Sequence, residues 1–73
     1  MRNTDPRRLF GKQLRQLRTE RGISQEKLAE LADLHRNYVG VLERGGQFAS
    51  LDAICRLARA LKVRPAELLQ TLP

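Results

Sequence analysis

Apolar residues recur along this chain every three or four positions, the spacing that lines one face of an α-helix. Phe10, Leu14 and Leu17 show the pattern first, and similar spacings return in the later segments. No stretch alternates apolar and polar residues in the way that a half-buried strand would. The hydrophobic pattern therefore predicts an all-α fold.

Residues that favour helix ends divide this pattern into five predicted helices. Asp, Ser and Thr can cap a helix start, proline is favoured at the first helical position, and glycine often follows the end. By these signals the first, second, fourth and fifth helices begin at Thr4-Asp5-Pro6, Ser24-Gln25, Ser50-Leu51 and Pro65. The third helix is the stretch HRNYVGVLERG (35–45). The first is expected to end at Gly22, the second at about Ala32 and the third at Gly45-Gly46.

The same spacing assigns an inward face to the later helices. The side chains expected in the core are Leu28, Leu31 and Ala32 in the second helix and Leu51, Ile54, Cys55, Ala58 and Leu61 in the fourth. The fifth helix is expected to carry Leu68, Leu69 and Leu72. Cys55, the single cysteine, is then a small core residue and not a redox switch. One cysteine excludes an internal disulfide and fits a reducing compartment.

Length and composition predict one small domain over residues 1–73, with residues 1–5 as a loose N-terminal tail. No apolar run approaches the roughly 18 residues of a transmembrane helix, and the N-terminal segment lacks the apolar core of a signal peptide. A cytoplasmic protein without a membrane partner is therefore expected. No nucleophile–base pair, metal-ligand spacing or effector domain emerges, so neither an enzyme, a cofactor nor a small-molecule effector is predicted.

Positive charge is concentrated near the N-terminus. The net charge is +6, and residues 1–22 hold seven basic and two acidic residues, which leaves the remainder nearly neutral. A basic segment on a nearly neutral body is typical of proteins that bind a polyanion. Charge alone does not distinguish nucleic acid from anionic lipid.

Only about three residues, Asp33-Leu34-His35, separate the second and third predicted helices. So short a connection favours a sharp corner over an antiparallel hairpin, as in a helix-turn-helix. Ala29 is small enough for two steeply crossing helices to approach closely, and Leu34 can fill the angle between them. Asp33 is expected in the left-handed conformation that the turn requires.

The third predicted helix has a buried face and a polar, basic face. At about 100° per residue, Val39, Leu42 and Glu43 point inward. The residues expected to face outward are Asn37, Gly40, Val41 and Arg44, with Tyr38 on one flank and Arg36 near the N-terminal end. In the major groove of DNA, arginine can pair with guanine, asparagine with adenine, and valine can touch a thymine methyl group. The outward face therefore suits base edges, although Val41 is equally compatible with simple surface exposure.

The segment SQEKLAELADLHRNYVGVLERG (24–45) resembles the helix-turn-helix of the lambda-repressor and Cro superfamily, the xenobiotic-response-element type of bacterial and phage regulators. The resemblance continues through SLDAICRLARALKV (50–63) and PAELL (65–69), so it covers nearly the whole chain. It implies a compact five-helix domain that binds DNA. The subpattern LHRNYVG-x-LERG is also similar to the controller proteins of restriction-modification systems.

The resemblance implies roles for individual residues. The base-reading positions of the family fall on Arg36, Asn37, Tyr38, Gly40 and Val41. Gln25 and Arg44 match residues that contact phosphates, and Gln25 also matches one that braces the third helix. Glu43 matches a glutamate that pairs with an arginine of the first helix, here Arg18. His35, a lone histidine, is expected to cap the third helix or contact a phosphate.

Two residues depart from the family pattern. Asp33 replaces the usual glycine of the turn, which puts some strain on that turn. Arg64 stands where a serine or aspartate usually caps the fifth helix, which puts the start of that helix in doubt.

These features predict a sequence-specific transcriptional regulator that binds double-stranded DNA as a homodimer on a palindromic operator. Surplus apolar residues at Phe48, Leu69 and Leu72 are expected to form the dimer surface. An antitoxin that binds a toxin protein as well as DNA is the main alternative. A membrane-surface binder is a weaker one, because the apolar face of the first helix is needed for the core.

Overall fold

Five α-helices account for most of residues 5–73, the part of the chain that the computed structural model describes. They are α1 (Pro6–Glu20), α2 (Gln25–Ala32), α3 (Arg36–Glu43), α4 (Leu51–Leu61) and α5 (Pro65–Leu69). Within these residues no strand is present, so the predicted all-α fold of five helices is confirmed. The tail predicted for residues 1–5 lies outside the described residues except for Asp5.

Side-chain caps explain where four of the helices begin. The capping residues are Asp5, Ser24, His35 and Ser50, and each accepts a hydrogen bond from a backbone N–H in the first turn that follows. These bonds satisfy donors that a helix start otherwise leaves without a partner. At Asp5 the carboxylate also accepts hydrogen bonds from the Arg7 side chain, which hold the pKa of that carboxyl below its ordinary value.

The fifth helix begins at Pro65 as predicted, although Arg64 offers no capping side chain. A carboxylate supplies the missing contact from the other direction: Glu67 Oε2 accepts a hydrogen bond from the Arg64 backbone N–H at 3.1 Å. Proline at the first position has no backbone N–H, so no acceptor is needed there. The departure at Arg64 is therefore compensated within the helix.

One hydrophobic core joins all five helices. Its largest fully buried side chains are Leu14, Leu28, Leu42, Leu57, Leu61, Leu68 and Val39. Helix α3 packs against both α1 and α2, and α4 packs against α2 and α5. The core therefore fixes the orientation of α3 from one side and leaves its other side free.

Three residues predicted to be buried are exposed. Leu51 is 74% exposed, Leu31 is 51% exposed and Cys55 also lies on the surface. Helix α4 is apolar around more than half of its circumference, so spacing alone allows two inward faces. Packing against α2 and α5 selects the face that carries Ala53 and Leu57 and turns Leu51 and Cys55 outward.

Helices α1 and α3 approach closely at Gly11, a position that the hydrophobic pattern did not single out. A Cβ atom at Gly11 would collide with the carbonyl oxygen of Leu42 and would lie 2.7 Å from that of Glu43. Because these are backbone atoms of α3, no side-chain rotation could relieve the contact. A residue without a side chain therefore sets the distance between α1 and the end of α3.

The corner between α2 and α3 has the conformation that the sequence predicts. Asp33 adopts φ 57° and ψ 49°, in the left-handed region, and ends α2. The Leu34 N–H donates to the Ala29 carbonyl at 2.9 Å, and the Leu34 side chain packs against the core. Aspartate tolerates this region better than most residues with a side chain. The corner brings the N-terminal ends of α2 and α3 to the same face of the domain.

None of the helices in residues 5–73 is both long and apolar enough to cross a membrane.

Candidate nucleic-acid interface

The start of α2 and the outward side of α3 border a shallow concave surface, which we call the α2–α3 groove. The residues lining it are Arg18, Ser24, Gln25, Glu26, Arg36, Asn37, Gly40, Val41 and Arg44. Six of the residues with a predicted role in base or phosphate contact are thus brought together. Tyr38 and His35, the other two, do not line the groove.

Arg36 and Asn37 occupy the first turn of α3 and are exposed. The Asn37 backbone N–H donates to His35 Nδ1 at 3.0 Å, so the histidine caps the helix and leaves the asparagine side chain available. Arg36 Nη1 lies 3.7 Å from Glu26 Oε2. Both side chains can therefore meet a molecule that enters the groove.

Tyr38 lies at the edge of this surface with its ring packed against the core. Its hydroxyl oxygen accepts a hydrogen bond from the Ser50 backbone N–H at 3.3 Å, at the start of α4. The side chain thus braces the loop that leads into α4. A partly exposed ring at this position can still contact a ligand from the side.

Gly40 faces the groove but is buried by two side chains that cross it. A Cβ atom there would lie 3.2 Å from Arg44 Nη1 and 3.6 Å from Gln25 Oε1. The sequence predicts an outward Gly40, and the structure shows that its outward face is covered. The missing side chain makes room for Arg44 and Gln25 to lie across the helix.

A buried ion pair between Arg18 and Glu43 supports the groove from the side of the core. Arg18 Nε lies 2.6 Å from Glu43 Oε2, and the two side chains are only 12% and 3% exposed. Glu43 Oε1 accepts further hydrogen bonds from Arg18 Nη2 at 3.1 Å and from Gln25 Nε2 at 2.9 Å. Arg18 Nη1 donates to the Ile23 carbonyl at 2.7 Å. The ion pair implied by the family resemblance is therefore present, and it anchors Gln25 at the rim of the groove.

The groove has a positive electrostatic character. Arg36 and Arg44 are exposed at it, and residues from the N-terminal turns of α2 and α3 line it. Helix N-termini carry partial positive charge and free N–H groups, so they favour anions such as phosphate. Glu26 is the single carboxylate among the lining residues, and it was not among the residues predicted for the site. The only indication of Glu26 in the sequence is its position directly after Gln25.

The three residues predicted for the dimer surface differ in exposure. Phe48 is 67% exposed, and its ring centroid lies 5.3 Å from the guanidinium carbon of Arg7. Leu69 and Leu72 are partly buried, and Leu69 packs against the core. Leu51, which was expected inside, adds a large exposed apolar side chain close to Phe48 in the sequence.

A family model described as a helix-turn-helix domain matches residues 9–72 of this chain. The control protein C.BamHI of Bacillus amyloliquefaciens is 48% identical over 64 residues, which are 86% of this chain and 79% of the relative.

Solved structures show the same similarity. The restriction-modification controller protein C.AhdI of Aeromonas hydrophila superposes with a TM-score of 0.84 at 52% identity, covering 85% of this chain and 94% of the other. SinR, a master regulator for biofilm formation that was crystallised with DNA, gives a TM-score of 0.79 at 31% identity, with 82% and 97% covered.

Proposed function

This chain is a DNA-binding transcriptional regulator of the helix-turn-helix domain family, and from that premise we propose that it controls a restriction-modification system as a homodimer on a palindromic operator. Its similarity to two controller proteins supports this role over that of an antitoxin. A DNA-binding regulator of this family is not an enzyme, and we propose that it acts in the cytoplasm, where its DNA target lies. The described residues 5–73 then form one DNA-binding domain.

The observation that carries the proposal is the exposed, basic face of α3 within the α2–α3 groove. The major groove of DNA, about 12 Å wide, admits an α-helix, and the first turn of that helix meets the base edges. Arg36 then bridges guanine O6 and N7, and Asn37 pairs with adenine N6 and N7. Val41, one turn further along, touches a thymine methyl group.

Two further residues assist base reading from the sides of α3. Tyr38, held by its bond to the Ser50 N–H, contacts a base or sugar at the rim. Gly40 lets the helix axis come close to the groove wall once the Arg44 side chain, which lies across it, extends away. The sequence preference of α3 therefore depends on its shape as well as on its donors and acceptors.

Phosphate contacts supply much of the affinity in such complexes and fix the register of the protein. Gln25, His35 and Arg44 are the residues that we assign to them. Gln25 is positioned by Glu43, so it can donate its second N–H without searching other rotamers. Arg44 lies across Gly40 and can extend toward the backbone of the DNA.

One domain of this size reads only a few base pairs, so a second copy is needed for a distinctive operator. Two copies related by a twofold axis read half-sites about 34 Å apart, one helical turn of DNA. Selection of bound duplexes from a random pool tests the proposal directly. We expect an enriched inverted repeat at that spacing. Enrichment without symmetry, or binding that falls with salt but prefers no sequence, would contradict it.

The dimer surface that we propose contains Phe48, Leu69 and Leu72. Helix α5 is held to α1 by the hydrogen bond from Gln13 Nε2 to the Glu67 carbonyl at 2.9 Å, so Leu69 has a fixed platform. Leu72 lies beyond the end of α5, and its backbone N–H donates to the Leu69 carbonyl at 3.0 Å. Phe48 is the best site for a test, because it is exposed and its replacement leaves the core intact.

Phe48→Glu is expected to give folded monomers that bind the operator at least tenfold more weakly, because a charge is placed in an apolar contact. Sedimentation velocity measures the association, and circular dichroism checks the fold. Leu31→Glu, which adds the same charge to an exposed apolar position on α2, is the matched control and should remain dimeric. An unchanged dimer in Phe48→Glu would reject this surface.

A further inference from the structure

Glu26 places a negative charge where the protein is expected to meet DNA. It is the second residue of α2, its side chain is 75% exposed, and it lines the α2–α3 groove. An unpaired carboxylate in such a place would repel phosphates and lower the affinity for any DNA. The DNA contacts proposed above do not explain why a carboxylate lies at this position.

The partner of Glu26 is the arginine at the start of α3. Arg36 Nη1 lies 3.7 Å from Glu26 Oε2, and the pair joins two different helices across the groove. The neighbouring cation Lys27 lies within ion-pair distance of Glu30, at 3.4 Å, one turn further along α2. The corner at Asp33 is what brings residues 26 and 36 together, so the pair belongs to the helix-turn-helix geometry.

We propose that Glu26 is a specificity-determining residue that restrains Arg36 from contacting phosphates indiscriminately. The proposal rests on the function proposed above, in which Arg36 reads a base. A guanidinium has five N–H donors. Arg36 can keep one edge toward Glu26 while its other edge bridges guanine O6 and N7. Reaching a phosphate outside the groove requires the arginine to leave Glu26.

The consequence is a difference between correct and incorrect DNA. On non-operator DNA, affinity comes almost entirely from phosphate contacts and the release of counterions. Pairing with Glu26 withholds one such contact. On the operator the pair persists, so Glu26 imposes little penalty there. The Glu26 carboxylate therefore increases specificity by weakening the complexes with non-operator DNA.

Glu26→Gln tests this inference, because it removes the charge and keeps the size of the side chain. We expect about threefold tighter binding to non-operator duplex, the scale of one exposed ion pair, and less than twofold change on the selected operator. The ratio of the two affinities should fall by about threefold. The slope of log K against log salt for non-operator DNA should steepen by about 0.9, one further phosphate contact.

Two comparisons separate this role from a general change of charge. Glu20→Gln removes a carboxylate from an exposed position on α1 outside the groove, and it should leave the affinity ratio unchanged. In an Arg36→Ala background, Glu26→Gln should alter non-operator binding no more than Glu20→Gln does. Circular dichroism confirms that each variant is folded.

Several outcomes would overturn the inference. Equal strengthening on both DNAs would reduce Glu26 to a general repulsive charge, and an effect that survives in Arg36→Ala would exclude its action through that arginine. Weaker operator binding by Glu26→Gln with unchanged non-operator binding would also contradict it. A wild-type protein that selects no site would overturn the proposed function, and this inference with it.

Discussion

The double variant Arg36→Ala, Asn37→Ala is expected to lose between about 30-fold and about 20,000-fold in affinity for a selected half-site, because each bidentate base contact contributes roughly 1–3 kcal/mol of discrimination. Both side chains are exposed in the first turn of α3, so the fold should survive their removal. The affinity for non-operator DNA should fall only by the small amount that the loss of one positive charge causes. Fluorescence anisotropy with operator and scrambled duplexes measures both.

A matched control distinguishes base reading from loss of charge. Arg59→Ala, Gln16→Ala removes one guanidinium and one side-chain amide from exposed positions outside the α2–α3 groove. It should change operator and scrambled affinities by the same small factor. If the control lost as much discrimination as the double variant, α3 would not be the element that selects the sequence.

Arg18→Met is expected to lower the free energy of unfolding by about 3–5 kcal/mol, since it leaves the Glu43 carboxylate buried without its cation. Small domains have total stabilities of about 5–15 kcal/mol, so the variant should unfold at markedly lower urea concentration. Urea titration followed by circular dichroism gives the value. A loss below about 1 kcal/mol would mean that solvent reaches the carboxylate.

Adding Glu43→Leu to Arg18→Met should recover most of that stability, because replacing a whole buried ion pair with apolar residues is often nearly neutral. Operator binding should remain impaired, since Gln25 loses the acceptor that positions it. Recovery of both properties would show that the network only supports the fold. Recovery of stability alone would assign Glu43 a positioning role for Gln25.

The helix boundaries could be predicted because their signals are local. Ser24, His35 and Ser50 cap the first turns that follow them through hydrogen bonds spanning two or three residues. Asp33 ends α2 in a conformation that few other residues adopt readily. Such contacts depend on neighbouring residues in the chain, so a sequence displays them directly.

The inward face of α4 could not be predicted with the same security. The stripe predicted for α4 contains Leu51 and Cys55 but not Leu57, whereas packing against α2 and α5 buries Leu57 and leaves the other two exposed. The close approach at Gly11 has the same origin, because the atoms that exclude a side chain there belong to α3. Both features depend on residues distant in the sequence.

The sequence by itself determined the five helices, the sharp corner between α2 and α3, and the polar face of α3, because periodicity and capping are properties of short segments. Only the tertiary structure decided that Gln25 and Arg44 cover Gly40, and that Arg18 reaches Glu43. It alone placed Glu26 beside Arg36. These contacts join separate helices, and their distances follow from how the whole core packs.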